Sequence, residues 1–422
     1  MRNTLIAAAI SAALAPGMAL ATDGYFSHGY GMKSKGMGGV GVALPQDALA
    51  PATNPAGLTM VGNRMDIGID WFRPTRGADI VGNTAGLTGS YDGNDASDFL
   101  IPEFGYNRML DPDLAVGIAV YGNGGMNTKY AQSPFASFGG GSGTGVDLNQ
   151  LFIAPTIAFK VNPNNSIGVS FNFAYQQFGM GGLQNSGLAM YSSDPSHFSD
   201  QGKDKSTGWG VRVGWIGQVS PTVTLGATYQ SKTKMSKFDK YKGLFANGGE
   251  FDIPENYAIG IAVKTTPKLT LAADVEQINY SKIPAVGNPI DVLFMGKLFG
   301  SADGPGFGWR DVTTLKLGAS YQYRDDLVLR AGFQTLRQPI PESQTLLNIL
   351  APGVVEQHLT LGATWTLANN NELTLAYMHA FKKEVNGVNS IPPGAPPAGF
   401  GDGNANLHMY EDSIGIAYGI KM

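Results

Sequence analysis

Few side chains in this sequence have the types and spacings that perform covalent chemistry or hold metal ions. The five histidines show no metal-ligand spacing, and the chain contains no cysteine, which excludes disulfides, zinc–thiolate sites and cysteine nucleophiles. Asp92, Asp95 and Asp98 cluster in one stretch, but they miss the pattern of a calcium-binding loop and indicate a solvated or cation-bridging rim. No Gly-x-Ser-x-Gly elbow is present. The sequence therefore predicts no catalytic residue and no metal site.

One glycine pattern resembles a nucleotide-binding motif. Gly36, Gly38 and Gly41 have the spacing of the dinucleotide fingerprint, but no strand is predicted before them and no βαβ unit after them. The formal net charge of −4 gives no electrostatic footprint for a polyanion. We therefore predict neither a cofactor nor a nucleic-acid partner.

Apolar side chains suited to holding a ligand are concentrated in three irregular stretches. Methionine and phenylalanine give a deformable lining that accepts varied apolar molecules. In the third stretch Asn288 and Pro289 predict the start of a short helix. Packing of these side chains over the structure beneath is the alternative for each one. The candidates are Phe178, Met180, Leu183 and Leu188, then Met235, Phe238 and Phe245, then Leu293, Phe294 and Leu298.

The composition limits the structure that positions these residues. Glycine accounts for 58 of 422 residues, about 14%, while charged residues are only 15% and 43 residues are aromatic (5 Trp, 17 Tyr and 21 Phe). Collagen-like glycine spacing is absent, and a chain this aromatic and this weakly charged is not disordered. What remains is a glycine-rich, weakly charged and aromatic folded chain.

From Arg64 onward the dominant pattern is alternation with period 2, which places every second side chain on one face of a strand. At the end of the chain, for example, Ile414, Ile416 and Tyr418 alternate with Gly415 and Ala417. Fourteen such segments are found, near residues 64–72, 99–108, 114–121, 147–161, 166–177, 206–219, 222–231, 255–264, 268–279, 312–323, 327–335, 355–367, 372–382 and 409–422.

Tight turns rich in Pro, Asn and Asp join alternate pairs of segments, and connections of about 20 to 35 residues join the others. Short turns alternating with long loops are typical of a transmembrane antiparallel β-barrel, here all-β with about 14 strands. In such a barrel apolar residues face lipid, while glycine and small polar residues face the lumen. A soluble β-protein with buried aromatic residues is the alternative.

The N-terminus indicates export. Arg2 and the apolar run Leu5 to Ala15 are followed by Ala19-Leu20-Ala21, which predicts a signal peptide over residues 1–21 rather than a membrane anchor. Residues 22–63 do not alternate as a strand, and we expect them to plug the lumen of a barrel formed by residues 64–422. Charges on the polar faces of the strands are expected to hold this plug: Asp66, Asp70, Arg212, Lys264, Asp274, Glu276, Lys316 and Arg330.

At this point the sequence resembles a known family. Gly24-Tyr25-Phe26, the glycine-rich Gly36 to Ala43 and the later Asn54-Pro55-Ala56-Gly57-Leu58 look like the hatch of FadL-type transporters for long-chain fatty acids and aromatic hydrocarbons. Gly304 to Asp311 and Leu329 to Phe333 also match. The resemblance implies a fourteen-stranded barrel with an N-terminal hatch in the outer membrane of a Gram-negative bacterium. The terminal Met422 departs from the phenylalanine common in such barrels.

The resemblance also implies a route for the ligand. Capture between long loops would be followed by a lumenal pocket beside the hatch N-terminus, where Phe26 stands, and by sideways exit at a kinked third strand. Here that strand runs into Gly122, Gly124 and Gly125, which permit a bulge, although they also suit the start of a glycine-rich loop. We expect Asn54, Pro55, Ala56 and Gly57 to hold the hatch closed, and Arg330 or Lys316 to pair with the carboxylate of a fatty-acid ligand.

The expected partners are a hydrophobic small molecule, outer-membrane lipid and lipopolysaccharide, and the barrel-assembly machinery, with the chain acting as a monomer. Two other functions stay open. A general porin would lack the plug segment, and a lipase-like barrel enzyme would need an outward serine and histidine near one rim. His379 suits that place but has no convincing serine partner. The sequence does not distinguish fatty acids from aromatic hydrocarbons, alkanes or other lipophiles.

Overall fold

The computed structural model describes residues 23–395 and 398–422. The predicted signal peptide, residues 1–21, lies outside the described residues. The strands are β1 Arg64–Val81, β2 Gly89–Asp92, β3 Phe99–Met109, β4 Leu114–Asn127, β5 Gly145–Asn162, β6 Asn165–Gly181, β7 Asp204–Ser220, β8 Val223–Gln230, β9 Lys234–Met235, β10 Asn256–Lys264, β11 Leu269–Ile278, β12 Val312–Arg324, β13 Leu327–Leu336, β14 Gln357–Thr366, β15 Glu372–Val385 and β16 Asn404–Lys421.

Fourteen long strands form one closed antiparallel barrel. Each long strand pairs with the next one along the chain, and the last, β16, pairs with β1 over the full length from Arg64–Lys421 to Val81–Asn404. The short strands β2 and β9 lie outside this path, β2 beside the far end of β1 and β9 beside β7. The barrel therefore has no free edge along its closing pair, as a sheet in lipid requires.

The predicted fourteen segments are confirmed, and the structure extends several of them at one end. β1 continues to Val81, β4 to Asn127 and β6 to Gly181, while β16 begins at Asn404. These extensions all lie at the end of the barrel that carries the long loops. Burial still alternates at the ends of β6 and β16, but the apolar side chains there face inward, as Leu407 and Met409 do, because that face packs against the loops. The lipid-facing apolar pattern therefore ends before the strand does.

The faces of the strands follow the sequence alternation. Ile414 and Ile416 face outward and are 51% and 44% exposed, whereas the preceding residue, Ser413, faces inward and is 4% exposed. The short turns follow from their residue types: in one, Asp111 Oδ1 accepts hydrogen bonds at 2.8 Å from the N–H groups of Asp113 and Leu114. Asn162 and Asn369 close two other turns in the same way.

Helices are short and lie in the N-terminal segment and the long loops. The α-helices are Met32–Lys35, Leu58–Val61, Ala246–Gly249, Pro284–Gly287 and Thr345–Asn348. The 3-10 helices are Ala50–Ala52, Pro55–Gly57, Ala136–Phe138, Gly187–Tyr191, Pro195–His197, Asp239–Tyr241, Tyr280–Lys282, Ile290–Met295 and Glu342–Gln344. Among the described residues, no helix has the length and apolar content needed to cross a membrane.

Candidate functional site

The N-terminal segment, residues 23–63, is enclosed by the barrel wall. Most of its residues are buried, and it meets the wall at glycines. A Cβ atom added at any of seven wall glycines would lie between 2.0 and 2.6 Å from an atom of the segment. Because these distances are too short for any side chain, glycine is what lets the segment fit. We call these seven positions the glycine seat: Gly105, Gly168, Gly214, Gly226, Gly318, Gly332 and Gly415.

The Asn-Pro-Ala-Gly stretch anchors the middle of the segment. Asn54 is fully buried, and its Nδ2 donates to the carbonyl of Val42 at 2.8 Å and to that of Trp215 on β7 at 3.0 Å. Its Oδ1 accepts from the N–H of Ala56 at 3.1 Å and so caps the helix Pro55–Gly57. One side chain thus joins two parts of the segment to each other and to the wall.

A charged cluster joins the segment to the closing pair of the barrel. Glu372 on β15 accepts from Lys33 of the segment at 2.5 Å, from Arg64 on β1 at 2.8 Å and from Lys421 on β16 at 2.8 Å. Arg64 also pairs with Asp66 at 2.7 Å. We call Lys33, Arg64, Asp66, Glu372 and Lys421 the seam cluster, because it lies where the first and last strands meet.

Other charges of the wall bind the backbone of the segment. Asp274 Oδ2 accepts from the N–H groups of Gly41 at 2.7 Å and Val42 at 3.0 Å, and Arg212 donates to the carbonyl of Thr53 at 2.9 Å. Of the eight predicted lumenal charges, six contact the segment: Asp66, Asp70, Arg212, Asp274, Lys316 and Arg330. Glu276 pairs with Lys316, and Lys264 lies exposed at the end of β10.

Seven buried lysines and arginines occur among the described residues, and each is already engaged. Arg330 donates to Gln46 at 2.8 Å and to Thr364 at 2.7 Å. Arg76 uses both guanidinium amino groups and Nε in bonds to loop and strand oxygens. We call these residues the buried cations: Lys33, Lys35, Arg64, Arg76, Arg212, Lys316 and Arg330.

The first described residues pack at the wall beneath the long loops. Asp23 accepts a hydrogen bond from Gln334 on β13, and its other carboxyl oxygen lies 3.5 Å from Lys316 on β12. Its backbone carbonyl accepts from the hydroxyl of Tyr280. Burial raises the pKa of Asp23 to about 7, against the opposing effect of the Lys316 charge. The Asp23 carboxyl therefore supplies two of the contacts that hold this end of the segment.

The wall is incomplete between β3 and β4. Their pairing covers only Ala115 to Val120 on β4, and beyond it β4 continues to Asn127 paired with β5. The register with β5 shifts between Gly122 and Gly124, so Asn123 forms a bulge. In the described chain, the free edge is met from inside by the segment: Gly125 donates to Tyr25 at 2.9 Å and Ser27 donates to Asn123 at 3.1 Å. We call this unpaired stretch the β3–β4 gap.

The outer surface beside the gap is hollow and apolar. Phe104, Val120 and Leu151 occupy outward positions of β3, β4 and β5, where other strands expose their side chains, yet they are only 2 to 4% exposed. They form a small hydrophobic cluster, packed against Ile118 and Ile153. An apolar molecule leaving the lumen through the gap would therefore meet apolar side chains before lipid.

A second apolar space, the loop cavity, lies among the long loops. All seven long loops contribute to it, and every lining side chain is apolar or glycine: Leu87, Phe135, Phe138, Val146, Phe178, Met180, Leu183, Leu188, Phe198, Leu244, Phe245, Ala285, Ile290, Leu293, Phe299, Pro305, Gly306, Phe307, Leu346, Leu347, Leu350 and Phe400. The cavity volume is about 60 Å³. An engineered apolar cavity of ~150 Å³ accepts benzene, so a ligand here would have to displace some of these side chains.

Aromatic rings connect the loop cavity to the gap. Phe307 lines the cavity, and its ring centroid lies 6.3 Å from that of Trp309. Trp309 contacts Tyr25 at 5.8 Å, and Tyr25 contacts Phe26 at 5.4 Å. Phe26 forms a β-bridge with Gly124 at the bulge of β4. We call Phe307, Trp309, Tyr25 and Phe26 the aromatic column, which runs from the loops to the β3–β4 gap.

Comparison with known proteins identifies the family. Residues 6–391 match the model of the outer membrane protein transport protein family, OMPP1/FadL/TodX. The chain belongs to this family. It is therefore an outer-membrane β-barrel of the Gram-negative type, and the family and its structural neighbours are transport proteins rather than enzymes. The long loops accordingly lie outside the cell and the short turns in the periplasm.

Individual relatives are distant. The chain is 22% identical over 430 residues to the long-chain fatty acid transport protein of Escherichia coli O6:H1. The alignment covers 88% of this chain and 91% of that protein. The fold of the chain is similar to that of the toluene transporter TodX of Pseudomonas putida, with a TM-score of 0.70, 17% identity and coverage of 94% and 99%. The fold is also similar to that of the toluene transporter TbuX of Ralstonia pickettii, with a TM-score of 0.64, 19% identity and coverage of 94% of this chain and 99% of that one.

In this FadL-type chain, the structure brings together six of the residues that the sequence assigns to the ligand. Phe178, Met180, Leu183, Leu188, Phe245 and Leu293 all line the loop cavity. Phe238 is fully buried behind them and contacts the ring of Phe178 at 5.8 Å, and Met235 is buried on β9. Phe294 contacts Phe400 at 5.8 Å at the border of the cavity.

Three other predicted ligand residues lie elsewhere. The predicted helix after Asn288 is the 3-10 helix Ile290–Met295, which ends at Gly296 with a left-handed φ of 83°. Leu298 therefore falls beyond it and is 37% exposed, so it does not share the face of Leu293. Phe26 belongs to the aromatic column, and Arg330 is occupied by Gln46 and Thr364.

The sequence interpretation missed much of the cavity. Phe135, Phe138 and Phe400 come from loops that it did not consider, Leu346 and Leu347 lie in the short helix Thr345–Asn348 before β14, and Leu350 follows that helix. Local periodicity gives no signal for them, because loop residues reach the cavity through the barrel topology. A search for apolar residues in all seven long loops would have found them.

Proposed function

We propose that this protein takes up small hydrophobic compounds across the outer membrane by capture in the loop cavity and lateral release through the β3–β4 gap. The observation that carries the proposal is the free edge of β4, which is closed from inside by residues 25–27 of the N-terminal segment. An opening in the wall leads a hydrophobic molecule into lipid, so that it need not cross an aqueous pore.

Residues 23–63 are proposed to act as a hatch. The sequence predicts this hatch over residues 22–63 and the barrel over residues 64–422. The aromatic column ends on the same residues that cover the gap. A ligand that moves down the column therefore competes with Tyr25 and Phe26 for their place at Gly124. Displacing this end of the hatch opens the gap, while Asn54 to Gly57 keep the rest of the hatch on the glycine seat.

Several features support hydrophobic compounds as the cargo. The loop cavity and the outer hollow at the gap are both apolar, and the relatives include a long-chain fatty acid transport protein and toluene transporters. A general porin would need an open aqueous lumen, whereas the hatch fills this one. Two glycines of the predicted gate strand, Gly122 and Gly124, flank the bulge, and Gly125 bonds to the hatch.

Uptake measured in a deletion strain tests the proposal. The wild-type chain is expected to increase the initial rate of uptake of a labelled hydrophobic compound over that of the empty strain. Leu293→Trp overfills the loop cavity and should lower this rate at least about tenfold, because added volume displaces the ligand. Leu298→Trp, exposed beyond the helix, is the matched control and should keep the wild-type rate. Equal rates for the two variants, or no dependence on the protein, contradict the proposal.

A further inference from the structure

We propose that the loop cavity accepts uncharged hydrocarbons and excludes ionised carboxylates. The inference rests on the proposed function, since it names the substrate class of the same cavity. Among the described residues, no lining side chain of the loop cavity carries a charge or a hydrogen-bonding group. A ligand that enters it therefore exchanges water for apolar side chains alone.

A carboxylate would meet no partner there. Burial of an ion without a counter-charge or hydrogen bonds is strongly unfavourable, and it is expected to lower affinity by about a hundredfold or more relative to a neutral analogue of the same shape. A methyl group, an ester or an aromatic ring carries no such penalty. The cavity is therefore expected to bind a neutral ligand more tightly than a charged ligand of the same shape.

The buried cations that could offset this penalty are already bound to protein oxygens. The sequence suggests Arg330 and Lys316 as carboxylate partners, but Arg330 is bound to Gln46 and Thr364, and Lys316 to Glu276 and the carbonyl of His28. The remaining buried cations are bound to acidic or carbonyl oxygens in the same way.

Exposed lysines of the long loops also lie outside the lining. Lys297 pairs with Asp303 at 2.7 Å, and Lys242 pairs with Asp194 at 3.2 Å. Neither side chain lines the cavity.

Binding to the full chain in phospholipid nanodiscs tests the inference, with empty nanodiscs subtracted. The probes are toluene against benzoate, and methyl dodecanoate against dodecanoate, at pH 8, where both acids are ionised. Each neutral probe is expected to bind at least about a hundredfold more tightly than its carboxylate. Acidification to pH 4 should restore much of the binding of benzoic and dodecanoic acid, because the ligand itself becomes neutral.

A new cation in the lining gives the converse test. Leu188 lines the cavity and is half-buried, so Leu188→Arg places a guanidinium at its edge. This variant should raise benzoate affinity at least about tenfold without raising that of toluene. Met190→Arg, two residues away and 57% exposed outside the lining, should change neither.

The outcomes separate the inference from the proposed function. Carboxylates that bind as tightly as their neutral analogues at pH 8 overturn the inference and leave hydrophobic uptake standing. Equal gains from Leu188→Arg and Met190→Arg also overturn it, since the effect would then come from loop charge in general. If neither neutral nor charged probes bind and uptake does not depend on the protein, both fail.

Discussion

Replacing Asn54 by alanine should detach the hatch from the wall while the barrel stays folded. The carbonyl of Val42 and the N–H of Ala56 each lose their bond to the Asn54 side chain, at 2.8 and 3.1 Å. The carbonyl of Trp215 lies on a strand paired with β8 and keeps its place in that ladder. The variant thus leaves two buried backbone groups without their partner.

The expected size follows from those two groups. An unsatisfied buried donor or acceptor costs about 1–3 kcal/mol, which gives about 2–6 kcal/mol for the pair. Even the lower end raises the population of the detached hatch about thirtyfold, since each 1.4 kcal/mol is a factor of ten. Asn54→Asp keeps the acceptor for Ala56 but sets a buried carboxylate oxygen against the carbonyls of Val42 and Trp215, so it should detach the hatch at least as much as Asn54→Ala.

Thiol labelling measures this population. The chain has no cysteine, so Ala52→Cys, at a fully buried position of the hatch, introduces a single reporter. Its rate of reaction with a water-soluble maleimide follows the fraction of detached hatch. In the Ala52→Cys background, Asn54→Ala should increase the rate at least about thirtyfold, whereas Asn164→Ala, in an exposed periplasmic turn, should not. Rates within a factor of two in correctly folded barrels would refute the anchoring role of Asn54.

Three further predictions concern the hatch and the gap. Gly168→Leu should raise single-channel conductance, because its Cβ would lie 2.4 Å from Pro55; Gly179→Leu, on the same strand, should not, because the nearest atom to its Cβ lies at an ordinary contact distance of 3.6 Å. Channel openings should be more frequent at pH 8 than at pH 5. The pKa of Asp23 is raised to about 7 when the hatch end is seated, so the seated state is destabilised as pH rises from about 4 to 7 and the carboxyl ionises. Asp23→Asn should weaken this dependence. Deletion of Asn123 should restore the β4–β5 register and reduce uptake at least about tenfold.

Each of these predictions has a contradicting result. A conductance for Gly168→Leu equal to that of Gly179→Leu would mean that the hatch does not rest on the wall at this point. Openings of equal frequency at both pH values in the wild-type chain would show that the Asp23 carboxyl does not control the hatch end. A barrel without Asn123 that folds, as judged by its heat-dependent gel mobility, and still transports at the wild-type rate would show that release does not use the bulge.

The strands could be read from the sequence because a membrane barrel repeats one simple pattern. Lipid demands an apolar residue at every second position, and the short turns need residues such as Asp111 that bond their own backbone. The lipid-facing pattern stops at the long-loop ends, where residues such as Leu407 and Met409 of β16 turn apolar side chains inward against the loops. The strand count was therefore predictable, and the strand ends were not.

The site was less accessible to sequence reasoning, for a physical reason. Phe178 and Phe400 meet in one cavity although they are more than 200 residues apart, and only the barrel closure brings their loops together. Arg330 could be placed on the lumenal face by its parity, but its partner Gln46 lies in a segment without periodicity. The lack of alternation in residues 22–63 predicted a plug, whereas the contacts of this segment with the wall join residues too far apart in sequence to be predicted.

The seam cluster links the order of assembly to the seating of the hatch. Glu372 and Lys421 belong to the last strands made, and Lys33 to the first part of the chain. The carboxylate that neutralises Lys33 thus arrives only when β16 reaches β1 and closes the ring. The seam cluster therefore couples closure of the barrel to seating of the segment: in a closed barrel with an unseated segment, Glu372 would keep Arg64 and Lys421 but lose its contact with Lys33.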